Sequence, residues 1–426
     1  MTQASGPMDA PRVAVVGAGA WGTTLAALVG RAEPVTLLSH SPESASEIAR
    51  TKRYERRLPG IDLPDTVHAT ANPAALASAM DLVILAVPSS HMRGVVGSLR
   101  EHVPPSTDLL SDAKGLEAGT LLRMTEVIRG VGGWANRPVA ALSGPNLAGE
   151  IARGLPASAV VAAEDPALAE RVVDRLARRE FRPYINSDIL GVELCGALKN
   201  ILAIAAGAAD GLGFGDNGKA GLLTRGLAEM TRLGIAAGAN PLTFPGLAGI
   251  GDVIATCGSG LSRNHRLGEE LARGRQWSDI EASLPGVAEG AYTVDAALEL
   301  ARRLEVEMPI AQEVHNALFE GKSVQRCLIA LLARESKDEL ADFRRWAERL
   351  GLPVASPEEL PQASAARILP DILPASSEAA FGRGGPGGQR SRVEGASTAP
   401  SGGRATGRRR SAESAAESHG RGLSRS

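Results

Sequence analysis

What the chain has little of narrows it first. Aromatic residues make up 3% of its 426 residues, against abundant Ala and Gly, a composition of soluble globular proteins. Its 46 Lys and Arg nearly balance 48 Asp and Glu, so no overall field draws it to nucleic acid or to a membrane surface. The three cysteines, Cys195, Cys257 and Cys327, stand far apart. They match no metal-binding or redox spacing, and no metal is expected. So sparse and odd a count suits a reducing compartment, and a cytoplasmic location is expected. No uncharged apolar run reaches the ~18 residues of a membrane span. Residues 191–209 come nearest, but Glu193 and Lys199 interrupt them. No apolar stretch of signal-peptide length precedes the first predicted strand.

What is present reads as an α/β chain followed by an all-α one. "RVAVVGAGAWGTTLAALVG" predicts strand, glycine turn and helix. "PVTLLSH", "DLVILAVPSS", "TDLLSDAKG" and "PVAALSGPN" predict further strands, each ending in small or polar residues. Strands alternating with helical patterns imply a mostly parallel, Rossmann-like sheet. Ligands of such sheets sit beyond the carboxyl ends of the strands, where Ser39, His40, Ser89, Lys114, Gly144 and Asn146 fall. Residues 1–188 are therefore read as a dinucleotide-binding domain. From 189 to 338 helical patterns dominate, and this part is read as the substrate-binding and catalytic domain. Residues 339–370 predict one more amphipathic helix. Residues 371–426 are rich in Gly, Ser and Arg, with nine arginines against five acids. That segment has too few large apolar residues to offset the entropy of ordering, and a disordered tail is expected.

Gly17-Ala18-Gly19-Ala20-Trp21-Gly22 is a G-x-G-x-x-G between strand and helix. The first glycine permits the tight turn, the second lets a pyrophosphate approach, and the third lets helix and strand pack. The second strand ends at Ser39 and His40, with no carboxylate before Glu43. A carboxylate there would hold the ribose 2′-hydroxyl of NAD. Without one a 2′-phosphate is not repelled, so NADPH is expected to be accepted alongside NADH, with His40 beside it.

"GVELCGALKNILAIAAGAADG" (191–211) reads as a buried helix, yet carries Lys199 near its middle. A buried ammonium needs a partner or a task. Burial lowers a lysine pKa toward neutrality, which suits a proton donor. Gly196, Ala197 and Ala203 leave room around it. The bland alternative is an ion pair with Glu193 or Asp210, whose offsets along the helix are poor for it. Asp252 lies on a glycine-rich stretch, where it could hold Lys199 or a substrate hydroxyl. Ser262-Arg263-Asn264 opens another helical pattern, a start that suits a phosphate. Each has a plain structural reading: Lys114 and Asp252 as turn residues, Ser262 as an N-cap, Arg263 as a surface charge.

Together these stretches resemble the bacterial type of NAD(P)-dependent glycerol-3-phosphate dehydrogenase. "GAGAWGTTLA", "AVPS", "AKGLE", "SGPNLAGE", "GVELCGALKNILAIAAG", "DGLGFGDNGKAGLLTRGLAEM", "GLAGIGDVIATC", "SRNHRLG" and "AEG" follow in family order from about 11 to 338. The resemblance implies reduction of dihydroxyacetone phosphate to sn-glycerol 3-phosphate, with the active site between a Rossmann-like and a helical domain. It implies Lys199 as proton donor and acceptor. It implies Lys114, Gly144, Asn146, Lys199, Asp252, Ser262, Arg263 and Asn264 at the substrate. Gly17, Gly19, Ala20, Trp21, Gly22, His40, Lys114, Ala148, Arg263, Val287 and Glu289 are implied at the cofactor. Two positions depart from the family: Ala20 replaces a serine, and Asn146 replaces a threonine or serine. The small-residue helices could pack closely, and a homodimer is the expected assembly. A dehydrogenase for a non-phosphorylated hydroxyacid or imine, and a cofactor-binding sensor without turnover, stay open at this point.

Overall fold

The computed structural model describes residues 12–77, 81–131, 133–284, 286–334, 344 and 347–348. The tail expected at 371–426 lies outside them, as does nearly all of the helix expected at 339–370. Ten strands are described: β1 (Val13–Val16), β2 (Val35–Leu38), β3 (Arg53–Tyr54), β4 (Leu58–Asp62), β5 (Val67–Thr70), β6 (Leu82–Leu85), β7 (Asp108–Ser111), β8 (Val139–Ser143), β9 (Ala157–Ala162) and β10 (Phe181–Asn186). Eight form one sheet in the order β10-β9-β8-β7-β6-β1-β2-β5, while β3 and β4 form a separate hairpin. Every neighbouring pair in the large sheet is parallel except β8 with β9. The strands β1, β2 and β6 are buried throughout, as expected where helices cover both faces.

Chain order reverses at β1, which lies between β2 and β6. The crevice beyond its carboxyl end is the usual ligand position in such sheets, and the glycine turn sits there. Gly17 takes φ +107°, and a Cβ on it would lie 2.5 Å from the Ala86 carbonyl oxygen. No other residue type fits so close to the end of β6.

After β10 the described chain is helical. The helix Ile189–Gly211 is buried along nearly its whole length and packs on helices Gly215–Ala237, Asp252–Cys257, Arg263–Ala272 and Glu289–Arg303. It is apolar and long enough to cross a membrane, but here it is the core of the helical part. That surrounding explains why its sequence shows no polar face. Asp188 caps it, accepting from the Gly191 amide at 2.9 Å, and also accepts from the Asn240 amide and the Thr243 hydroxyl. A Cβ on Gly207 would strike the His265 carbonyl, and one on Gly268 the Ile204 carbonyl. Glycine at both places lets the two helices cross backbone to backbone.

Glu229 is buried against the start of helix Pro309–Phe319, accepting from the Ile310 amide at 2.9 Å and the Ala311 amide at 3.4 Å. Burial outweighs these bonds and pushes its pKa up to about 7 from an ordinary 4.5. The folded state then holds this proton more tightly than the unfolded chain. Stability from this group is present below about 4.5 and is lost as pH rises to about 7. Glu229→Gln keeps an acceptor for both amides without the charge. Its unfolding midpoint should fall less than that of the parent between pH 5 and 8, by a difference worth ~1–3 kcal/mol. Parallel slopes for the two proteins would refute this account.

Candidate active site

Three charged side chains from three separate segments meet at the carboxyl end of the sheet. Lys199 Nζ donates to Asp252 Oδ1 at 2.8 Å and to Thr256 Oγ1 at 2.6 Å. Lys114 Nζ donates to Asp252 Oδ2 at 2.7 Å and to the Gly144 carbonyl at 3.2 Å. Thr256 in turn donates to Asp252 Oδ1 at 2.9 Å. Helix Ile189–Gly211 supplies Lys199, the loop after β7 supplies Lys114, and helix Asp252–Cys257 supplies Asp252 and Thr256, one turn apart. Asp252 is 1% exposed and Lys199 6%.

One carboxylate shared by two ammoniums leaves one positive charge in excess, and the two lysines respond differently. Burial and the charge of Lys114 lower the Lys199 pKa against the pull of Asp252. Burial also acts on Lys114, but Asp252 and Asp112 outweigh it, and its pKa is raised. Burial would raise Asp252, yet the two lysines hold it below the usual carboxylate range. Lys199 is thus the member that gives up its proton first. The simple ion-pair alternatives for it are filled elsewhere. Glu193 binds Arg123 at 2.8 Å and the Thr125 amide and hydroxyl. Asp210 binds Lys219 and His265. Of the small neighbours, Gly196 faces Lys114 and Ser143, whereas Ala197 and Ala203 sit in the apolar core and open no space at the site.

The neighbouring shell is a polar clasp. Asn264 Nδ2 donates to Asn200 Oδ1 at 2.9 Å, and its Oδ1 accepts from the Gly290 amide at 3.0 Å. The helix crossing at Gly207 and Gly268 makes the first of these bonds reachable. Ser262 is an N-cap, accepting from the His265 amide at 3.3 Å. Glu289 accepts from the Ser89 amide at 3.4 Å. Burial raises its pKa, opposed chiefly by Arg263. Arg263 itself is exposed and Val287 half-buried.

Several polar atoms here are buried with no hydrogen-bond partner among the described residues. They include Trp21 Nε1, both amide atoms of Asn146 and the Ser143 hydroxyl. Helix Ala20–Gly30 starts behind Gly19 with no side chain capping it, so Ala20 costs the turn a hydroxyl but leaves the first amides free. The orphaned Trp21 Nε1, with the tight turn at Gly17, fits a dinucleotide: pyrophosphate on the amides at Gly19–Gly22, and a polar ring or amide group on Trp21. At the end of β2, Ser39 is buried and His40 exposed. Glu43 is tied to the Ser41 hydroxyl at 2.7 Å. Ala148 receives the Thr24 hydroxyl at its carbonyl, 3.2 Å away.

Sequence reading missed three residues of this region. Thr256 carried a signal, standing one turn after Asp252. Asp112 carried none: it is 5% exposed, its carboxylate has no described partner, and burial raises its pKa well above the ordinary value. Asn200 carried none either: its part in the site shows only in the bond it accepts from Asn264.

Comparison with known proteins agrees with this geometry. The family model for the N-terminus of NAD-dependent glycerol-3-phosphate dehydrogenase matches residues 12–169, and that for its C-terminus matches residues 188–329. A glycerol-3-phosphate dehydrogenase [NAD(P)+] of Anaeromyxobacter dehalogenans is 46% identical over 331 residues, covering 77% of this chain and 100% of its own. One of Streptomyces avermitilis is 45% identical, with 77% and 98% covered. Among solved structures, the glycerol-3-phosphate dehydrogenase of Coxiella burnetii superposes with a TM-score of 0.73 at 36% identity, covering 77% of this chain and 100% of that one. With both family models matched in order around one lysine–aspartate–lysine centre, the chain belongs to the NAD-dependent glycerol-3-phosphate dehydrogenase family.

Proposed function

We propose that this protein reduces dihydroxyacetone phosphate to sn-glycerol 3-phosphate with NADPH or NADH, reversibly, and so supplies glycerophospholipid synthesis. The observation that carries the reading is the buried Lys199, whose proton is loosely held beside Asp252. The nicotinamide, when bound, supplies the hydride. A carbonyl oxygen becoming an alkoxide needs a proton at that moment, and Lys199 Nζ is the donor. Asp252 and Thr256 fix its direction. Lys114 adds a second positive charge where negative charge develops. Arg263, Asn264 and the amides after Ser262 anchor the substrate phosphate, and that remote binding orients the reacting carbon. Gly144 and Asn146 complete the substrate side. Gly17, Gly19, Ala20, Trp21, Gly22, His40, Ala148, Val287 and Glu289 hold the cofactor. In this reading residues 1–188 form the dinucleotide-binding domain and residues 189–338 the substrate-binding and catalytic domain, with Lys114, Gly144 and Asn146 reaching the substrate from the first and Val287 and Glu289 reaching the cofactor from the second. The protein works in the cytoplasm as a homodimer, and Leu242, Ile254 and Leu261 are among its exposed apolar side chains.

The test is loss of reduced-nicotinamide absorbance with dihydroxyacetone phosphate. Consumption is expected with both cofactors. The specificity constant for NADPH should equal or exceed that for NADH, because no carboxylate meets the 2′ position. A strong preference for NADH would overturn the cofactor reading. No consumption with either, while NADPH still binds, would replace the enzyme by a cofactor sensor.

A further inference from the structure

Arg57 lies in the turn between β3 and β4, outside the sequence motifs that define the reaction. Its base is held firmly. Tyr54 on one side is buried, with its hydroxyl 3.1 Å from Ser44 Oγ, and its carbonyl accepts the Arg57 amide at 3.0 Å. Leu58 on the other side is buried too. The Arg57 side chain is half-buried, yet among the described residues it makes no ion pair and no hydrogen bond. A guanidinium stripped of part of its water without a partner is a cost that a fold does not ordinarily carry.

Its surroundings show what would offset that cost. A Cβ on Gly286 would lie 3.2 Å from Arg57 Nη1 and 2.9 Å from Arg263 Nη1. Two guanidinium groups, from the hairpin and from the start of helix Arg263–Ala272, therefore converge on one glycine. Arg263 likewise donates no hydrogen bond among the described residues, and its charged neighbour is Glu289. Gly286 takes φ +110°, so a side chain there would be strained as well as pressed onto both arginines. Like charges repel when brought together. An anion placed between them turns that repulsion into attraction, and a phosphate accepts from both planar forks at once.

We propose that Arg57 and Arg263 form one two-arginine clasp for a phosphate group, with Arg57 an additional binding residue that fixes the preference for a phosphorylated ligand. The reading rests on the proposed reaction for the source of that phosphate, which is either the substrate or the dinucleotide. Hairpin β3–β4 lies against the first helix after the glycine turn, and Arg263 belongs to the helical part. Filling the clasp would thus tie the two halves of the site together.

The experiment uses the full chain with Arg57→Leu and Arg57→Lys. Two titrations need no turnover: NADPH followed by its fluorescence, and sn-glycerol 3-phosphate added to the NADPH complex. Arg57→Leu is expected to weaken one of them by about tenfold or more, the loss of a charge-assisted bidentate contact. Weaker NADPH binding assigns the clasp to the dinucleotide. Weaker sn-glycerol 3-phosphate binding, with NADPH unchanged, assigns it to the substrate. Arg57→Lys should recover part of the loss, since it keeps the charge without the fork. Both affinities within twofold of the parent would overturn the proposal. Should Arg57→Leu fail to fold, Arg57→Gln carries the same comparison. A parent protein that binds both ligands but never turns over would sink the proposed reaction and leave these titrations readable.

Discussion

Lys199→Met should lower turnover by about 10²–10⁴-fold, the usual contribution of a positioned general acid, while NADPH binds nearly as before. Methionine matches the length of the lysine and suits the apolar neighbours of helix Ile189–Gly211. It removes the ammonium without opening a cavity. Asp252 keeps Lys114 as a partner, so no carboxylate is left buried and alone. The parent enzyme adds a pH signature. Burial and Lys114 together lower the Lys199 pKa from its ordinary 10.5. Ketone reduction needs the protonated form and should decline as pH rises through that lowered value. Alcohol oxidation needs the neutral form and should rise over the same span. Stopped-flow measurement of both directions in parent and variant would separate the proton step from hydride transfer. Near-normal turnover in Lys199→Met would remove Lys199 from the mechanism.

Why Lys199 could be found at all, and its partners only in part, follows from what a sequence carries locally. The glycine turn is a contiguous signal, because each glycine is required by a contact within the same strand–turn–helix unit. Lys199 stood out because a charge inside an apolar helix is anomalous on its face. The strands β1 and β6 are continuous apolar runs, β2 and β8 are mostly apolar, and β7 is an apolar pair closed by Asp108 and Ser111; they were legible for the same reason. The strands β5 and β10 are edges of the sheet with half-polar sequences, and their strand character comes from pairing. The antiparallel pairing of β9 with β8 depends on the path of the chain between them. The sharing of Asp252 is beyond any spacing rule, since its two lysines lie 53 and 138 residues away. Arg57 and Asp112 are likewise defined by what the fold brings near them. One stands beside another arginine, and the other is a carboxylate with no described partner.

The largest effect on stability is expected at Asp252. In Asp252→Ala two ammoniums lose the carboxylate they share, in a place where water reaches neither freely. Breaking a buried pair from one side costs about 3–5 kcal/mol, far more than deleting the whole pair. The sign with pH discriminates this cause from general damage. In the parent, the Asp252 pKa is depressed below its ordinary 3.8. Its contribution is therefore present above that value and is lost as pH falls through the folded pKa. In the variant the orphaned Lys199 can escape by giving up its proton. The folded state then binds fewer protons than the unfolded chain, so the variant should regain stability as pH rises from 7 toward 10. Adding Lys199→Met to Asp252→Ala removes the ammonium that loses most. The double variant should be more stable at neutral pH than Asp252→Ala alone, although it carries one substitution more. Denaturant unfolding of the parent, both single variants and the double variant at neutral and alkaline pH measures the whole cycle. A loss at Asp252→Ala that is small, independent of pH and simply additive with Lys199→Met would mean that the lysine–aspartate–lysine centre is not held together by charge.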